Sequence, residues 1–272
     1  MSRNGPVALV YHALFVTFML APIGVVCWVA FTPEGFLSFP TDRWSLRWFA
    51  AIARYPEFVS AFWRSLWLGA LSSAIAVAVS VPAALAIARH RFPGREAFTA
   101  LFMSPLMIPH IVLGIAFLRF FTQIGLGGTF TGLVLSHIVI VLPFALRLTL
   151  ASAVGLDRAI EHAAVSLGAS EWTVLKRITL PLVVPGLASG WALAFINSFD
   201  EVTMTVFIAA PGTETLPVRM FLYIQDNIDP LVTSVSACVI AVTVVALIAM
   251  DRAYGLERLL VGRGNHGGTH GR

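Results

Sequence analysis

Six stretches of this chain are each apolar over about 20 residues or more, the length a helix needs to cross the hydrocarbon core of a bilayer. They lie near 8–31, 61–88, 97–121, 129–151, 180–207 and 231–250. No other feature restricts the fold as much. The membrane interior offers no water to backbone N–H and C=O groups, so each run has to satisfy them within itself, as a helix. Composition agrees: 58% of the 272 residues are hydrophobic and 12% are charged, against ~25% charged in an ordinary soluble domain. A water-soluble fold of this length has too few charges to cover its surface. The expected class is therefore an all-α integral membrane protein with six transmembrane helices.

The charges that remain are placed, not scattered. The connection Arg89-His90-Arg91-Phe92-Pro93-Gly94-Arg95 is short and strongly basic, whereas the next one, Thr122 to Gly128, carries no charge. Arg147, Arg158, Lys176, Arg177, Arg252 and Arg258 fall on the same side as Arg89 when the runs are threaded in alternation. The positive-inside rule then puts that side, and both termini, in the cytoplasm of a multi-pass protein. The net charge of +4 is thus a topology signal and does not point to nucleic acid. The first run has only Arg3 before it and no small-residue cleavage site after it, so it reads as a retained span. Between spans one and two, Ser45–Ile52 interleaves Arg47 with Trp48 and Phe49 at helical spacing, the pattern of a helix lying along the interface. Residues 1–258 form the membrane domain, and 259–272, rich in Gly and His, read as a flexible tail. Cys27 and Cys238 lie in apolar runs with no metal or disulfide spacing and are expected to be small buried hydrophobes.

The loop at 152–179 is too polar to be a span and too patterned to be slack. Asp157 is placed to cap a short helix over 158–167. Ile160, Ala163, Ala164 and Leu167 share one face of it. Gly168 sits where helices commonly end in a left-handed residue. Ser170 is placed to cap a second short helix with Glu171 in its first turn. Ile178, Leu180 and Pro181 lead into span five. A helix–turn–helix on the membrane surface, with a small apolar face, suits insertion into a groove on another protein.

This loop resembles the EAA loop of binding-protein-dependent ABC importer permeases: Glu-Ala-Ala, three residues, Gly, nine residues, then Ile-x-Leu-Pro. The matching positions are His162, Ala163, Ala164, Gly168, Ile178, Leu180 and Pro181. His162 stands where that family usually has Glu, and Glu161 precedes it. The resemblance implies a type I ABC importer permease-like bundle whose cytoplasmic coupling helix docks on a separate ATPase. Glu161 and the seven matching residues are its expected coupling positions. It further implies two ATPase copies, a second related permease and a periplasmic substrate-binding protein, in the bacterial inner membrane. The sequence itself supports that division of labour. The sole lysine, Lys176, lies in Thr-Val-Leu-Lys-Arg-Ile with no Gly-rich phosphate cradle around it. ATP and Mg are therefore expected on the partner, and no cofactor on this chain.

Phe195-Ile196-Asn197-Ser198-Phe199-Asp200-Glu201-Val202 resembles a stretch of spermidine/putrescine-type permeases, as do Glu214–Arg219 and Asn227–Pro230. The implied solute is a polyamine. The same group resembles permeases for iron, thiamine and aminophosphonates. Asn197, Asp200 and Glu201 are the candidate pathway residues, because carboxylates within a membrane usually face a partner or an aqueous path. A structural role is the rival: one carboxylate pairing with Arg119, or capping a break in the helix. His110 and His137 read as packing histidines, no paired carboxylate being visible beside them. Pro105, Pro109 and Pro143 are expected to kink spans three and four. Gly186 and Gly190 have the small-xxx-small spacing of close helix packing. Two other functions were open. An ion-coupled secondary transporter predicts an internal repeat, and residues 1–135 and 136–272 show none. An intramembrane enzyme predicts a zinc or nucleophile motif, and the chain has neither.

Overall fold

A computed structural model describes residues 5–41 and 43–254, with the side chains of 250, 251, 253 and 254 left aside. The expected tail at 259–272 lies outside the described residues. The described residues are helical, without strands. In chain order the helices are α1 (Pro6–Val29), α2 (Arg47–Ile52), α3 (Pro56–Arg89), α4 (Arg95–Met103), α5 (His110–Gln123), α6 (Phe130–Val154), α7 (Arg158–Ser166), α8 (Glu171–Val174), α9 (Leu180–Phe199), α10 (Thr205–Ile208), α11 (Leu216–Asp226) and α12 (Leu231–Tyr254). A 3₁₀ turn at Ser104–Met107 follows α4, and a π-helical turn at Leu175–Thr179 joins α8 to α9. Among the described residues five helical segments are individually long and apolar enough to cross a membrane, and a sixth crossing results if α4 and α5 count as one broken span.

That broken span departs from the single helix expected at 97–121. Arg95–Met107 and His110–Gln123 meet at 100°. The cause is local. Pro109 has no N–H to give and its ring crowds the residue before it, so Ile108 is extended at φ −95°, ψ 127°. Pro143, by contrast, lies inside α6 without interrupting it. The fifth run also ends earlier than the expected 207. α9 stops at Phe199, and the chain turns through Asp200–Met204 into α10.

The chain divides into two compact units. One comprises the chain up to Ser60 together with Arg219–Ala249. Within it α1 is apolar on every side and exposed along almost its whole length, the state of a helix solvated by lipid or by another helix. α2 forms where an interfacial helix was expected. Its Trp48 is buried, with the indole N–H donating to the Glu34 carbonyl at 2.9 Å. Ser234 of α12 donates to the Ala30 carbonyl at 3.0 Å, and Arg219 pairs with Glu57 at 3.0 Å. Neither cysteine is buried as expected: Cys27 is half-buried and Cys238 exposed. A helix facing lipid gains as much from an apolar thiol outside as a soluble protein gains from one inside.

The second unit holds Ala61–Val218. Its core joins Leu68 and Ala76 of α3, Phe121 of α5, Leu133, Ile140, Val141 and Ala145 of α6, Ala194 of α9 and Ile208 of α10. A smaller cluster joins Ala83, Ala84 and Ile87 to Leu146, with Phe98 and Phe102 packed on it. α6 and α9 pack closest. A Cβ on Gly186 would stand 2.3 Å from the Ser152 Cβ, and one on Gly190 would stand 3.2 Å from the Ala145 carbonyl oxygen. The two glycines are the small faces that their spacing suggested.

Candidate functional site

Two clusters in the second unit hold the expected site residues, one at each end of α9. A 20-residue helix separates them by about 30 Å.

At the first end, the chain leaves α6 at Gly155 and forms α7. Asp157 caps it, its Oδ1 accepting from the Ala159 N–H at 2.9 Å. Leu167 ends the helix, and Gly168 reverses the chain with φ +88°, a conformation that costs any residue with a Cβ. Ser170 caps α8, accepting from the Thr173 N–H at 3.3 Å. No residue of α7 is buried. Ile160 and Val165 are exposed, Leu167 is 89% exposed and Trp172 is 62% exposed. The Lys176 ammonium lies 4.6 Å from the Trp172 ring centre, a cation–π contact. His162 and Ala163 are exposed and Ala164 is half-buried.

Only the base of this projection is tied down. Glu161 turns inward, where its carboxylate accepts from the Arg89 guanidinium and from the Thr179 hydroxyl. The same Arg89 donates to the Thr179 Oγ1 at 3.2 Å, and Arg158 donates to the Ala88 carbonyl at 2.7 Å. Ile178 and Leu180 are half-buried, Pro181 is exposed, and Thr179 between them is buried. Arg89 and Thr179 belong to this arrangement and carried no local signal in sequence. Their roles depend on α3 ending beside the foot of α9.

At the far end of α9 the carboxylates differ. Asp200 ends the helix and is exposed. Asn197, half-buried, spends its amide on the Leu193 carbonyl at 2.8 Å. Glu201 is 8% exposed. One of its oxygens accepts from the Met204 N–H at 2.6 Å, which caps the turn into α10, and the other lies 2.7 Å from His110 Nδ1. The partner of Glu201 is therefore His110, not Arg119. His110, read from sequence as packing without a carboxylate, has one. The residues are 91 apart in the chain, and only the break at Pro109 brings the start of α5 to the end of α9. Gly114, one turn into α5, permits the approach, since a Cβ there would meet Phe207 at 2.8 Å and the Met204 carbonyl at 3.0 Å.

His137 does behave as a satisfied packing histidine. It is fully buried on α6, with Nδ1 2.8 Å from Ser198 Oγ and Nε2 3.0 Å from Thr205 Oγ1. Ser198 also meets Ser72 of α3 at 3.1 Å. A buried polar layer thus links α3, α6, α9 and α10, each group answering another. Among the described residues no three or more His, Cys, Asp or Glu side chains gather as a metal site would require.

The second unit thus combines a broken span with a short, tethered, exposed helical hairpin between two long apolar helices. Residues 78–256 match the family described as binding-protein-dependent transport system inner membrane component, and the chain belongs to that family. It is the non-enzymatic, multi-pass membrane permease of an importer, in the inner membrane. Over 247 residues it is 28% identical to the spermidine/putrescine transport system permease protein PotC of Escherichia coli, covering 91% of each chain. Over 255 residues it is 29% identical to the putrescine transport system permease protein PotI of Escherichia coli, covering 90% of each. It is likewise 29% identical over 255 residues to the putative 2-aminoethylphosphonate transport system permease protein PhnV of Salmonella paratyphi A, covering 89% of this chain and 92% of that one. Its fold is that of a chain from a bacterial ABC transporter involved in the import of the acidic polysaccharide alginate, with TM-score 0.70 and 15% identity over 92% of this chain and 96% of that one. A chain of the inward-facing MetNI methionine ABC transporter aligns with TM-score 0.58 and 20% identity, over 72% of this chain and 93% of that one.

Proposed function

We propose that the chain pairs with a second, related permease, and that the pair is driven by two ATPase subunits to import a polyamine delivered by a periplasmic binding protein. The observation that carries the ATPase docking is the hairpin α7–Gly168–α8. Its apolar residues Ile160, Val165, Leu167 and Trp172 face outward while its base is held. Exposed apolar side chains on a rigid projection mark a protein contact. ATP and Mg belong to the partner. The basic Arg89–Arg95 connection supports a cytoplasmic position for the hairpin and, with it, for both termini. Alternating access then follows: closure of the ATPases moves the hairpin, and the bundle rocks between outward- and inward-facing states.

The polyamine assignment is supported by the relatives' names and by Asp200, an exposed carboxylate at the outer end of α9 in this orientation. A second reading, an aminophosphonate, is favoured by the 29% identity to the putative 2-aminoethylphosphonate transport system permease protein. Uptake into proteoliposomes holding the co-expressed transporter separates them. With the binding protein outside and ATP inside, labelled putrescine or spermidine should accumulate and 2-aminoethylphosphonate should not. The reverse preference would move the substrate to the second reading. Accumulation without ATP or without a co-purifying ATPase would defeat the importer assignment altogether.

A further inference from the structure

The geometry points to Arg89, Glu161 and Thr179 as positioning residues that form a third mechanical strut between the projecting α7 and the bundle. The inference rests on the reading above, that α7 receives the push of an ATPase. The chain itself attaches α7 at two places, through Gly155–Asp157 to α6 and through α8 and the π-helical turn to α9. A body held at two points keeps one free rotation, about the line joining them. α6 and α9 are packed directly on each other through Gly186 and Gly190, so both covalent attachments lead to one rigid pair. A push on the exposed face of α7 would be lost partly as swing about that pair.

The third attachment lies on another helix. Glu161 on α7 takes the guanidinium of Arg89, the last residue of α3, while Arg158 of α7 reaches back to the Ala88 carbonyl at 2.7 Å. The side chains of the ion pair are 22% and 13% exposed, so salt screens them less than an open surface pair. Thr179 donates to the same Glu161 oxygen. It ends the π-helical turn at the foot of α9, a form of helix that recurs at functional sites. One carboxylate oxygen therefore gathers α3, α7 and α9. From Arg89 the helix runs back 17 residues, about 25 Å, to Ser72, whose hydroxyl meets Ser198 in the layer around His137. Motion of α7 thus has a route to that layer along α3 as well as along α9. His162, beside Glu161, stays exposed on the hairpin, so the acid at this motif serves inside the chain and the histidine is presented to the partner.

The test uses the complete transporter, co-expressed with its ATPase and held in lipid nanodiscs. Spin labels are placed at the exposed positions Ala78→Cys on α3 and Ala159→Cys on α7, with Cys27 and Cys238 replaced by Ala. Pulsed dipolar spectroscopy reads their separation without nucleotide and after trapping with ADP and vanadate. The strut predicts the same separation in both states. Glu161→Gln should make it differ between states by a few ångströms and lower the ATPase response to the binding protein about tenfold. The exchanged pair Arg89→Glu with Glu161→Arg should restore a single separation, a rescue that mere loss of local shape would not give. A separation that already changes in the native pair overturns the strut, as does a Glu161→Gln variant that behaves like native. Release of the ATPase by Glu161→Gln also overturns it, by showing that the tie only holds the hairpin in form. Failure of the native chain to bring down any ATPase is a different result, and it strikes the proposed function instead.

Discussion

The two ends of α9 solve opposite problems with the same kinds of side chain. Around His137 the polar groups are buried and answer each other, with Ser72, Ser198 and Thr205 arranged about one imidazole. Around Glu161 a few ties, to Arg89 and Thr179 and from Arg158 to the Ala88 carbonyl, anchor a helix of which no residue is buried. The first arrangement resists change, because any missing member leaves an unsatisfied group in an apolar surrounding. The second leaves a small body that can be gripped and moved. A permease needs both, a bundle that stays whole and a handle that does not dissolve into it. The difference shows that polar residues in such a chain are read by their burial and partners, not by their charge.

Gly186→Leu strikes the bundle side of this contrast hardest. The Cβ alone would stand 2.3 Å from Ser152, inside any tolerable contact, so α6 and α9 must separate. Overpacking of this kind costs about 1–3 kcal/mol or more. The folded yield in detergent and the thermal midpoint should both fall sharply; an unchanged midpoint would mean that the two helices do not pack as described. Next comes His137→Leu, which keeps the volume, strands the Thr205 hydroxyl and leaves Ser198 with Ser72 alone. At about 1–3 kcal/mol for each buried group left unpaired, the thermal midpoint should drop by several degrees while ATPase binding by whatever remains folded stays normal.

Much of the handle was legible from sequence because its signals are local. Asp157, Gly168 and Ser170 each act within three residues of themselves, and all three perform the capping or turning expected of them. The long spans were legible for a similar reason, since bilayer thickness sets their length whatever their neighbours. What was hidden is non-local. His110 and Glu201 are 91 residues apart, and Arg89 and Glu161 are 72 apart. No periodicity connects them. Pro109 marked a kink, but not that the kink would be 100° or that it would carry His110 to the end of α9. The short fifth helix was missed because Val202, Met204, Val206 and Phe207 continue the apolar run while the backbone turns. Hydropathy measures solvent, not direction.

Gly168→Val is the matching blow to the handle. A β-branched residue at φ +88° is strained by about 1–2 kcal/mol, enough to reset the angle between α7 and α8 without touching the bundle. Coupling of ATP hydrolysis to transport should fall by about tenfold at an unchanged thermal midpoint. A drop in midpoint equal to that of His137→Leu would erase the distinction between the two regions. Leu167→Asp is gentler still. The side chain is 89% exposed, so stability should change by less than about 0.5 kcal/mol. Affinity for the ATPase, measured by titrating the purified subunit into permease-loaded nanodiscs, should nevertheless fall about tenfold, as for loss of an apolar anchor.

The smallest effect is expected at Asp200, and it separates the two acids at the far end of α9. Glu201 is committed to His110 and to the Met204 N–H, so Glu201→Gln acts on the turn into α10 and should lower stability. Asp200 is exposed, and an exposed carboxylate meeting a cationic amine contributes about 0.2–1 kcal/mol. Asp200→Asn should therefore raise the KM for putrescine uptake about two- to fivefold, leave kcat and thermal midpoint in place, and lose its effect as salt rises. An Asp200→Asn variant with native uptake at low salt would remove that residue from the path. If Glu201→Gln instead raised KM with no loss of stability, the acid that faces the solute would be the one held by His110, and the exposed carboxylate would be a bystander.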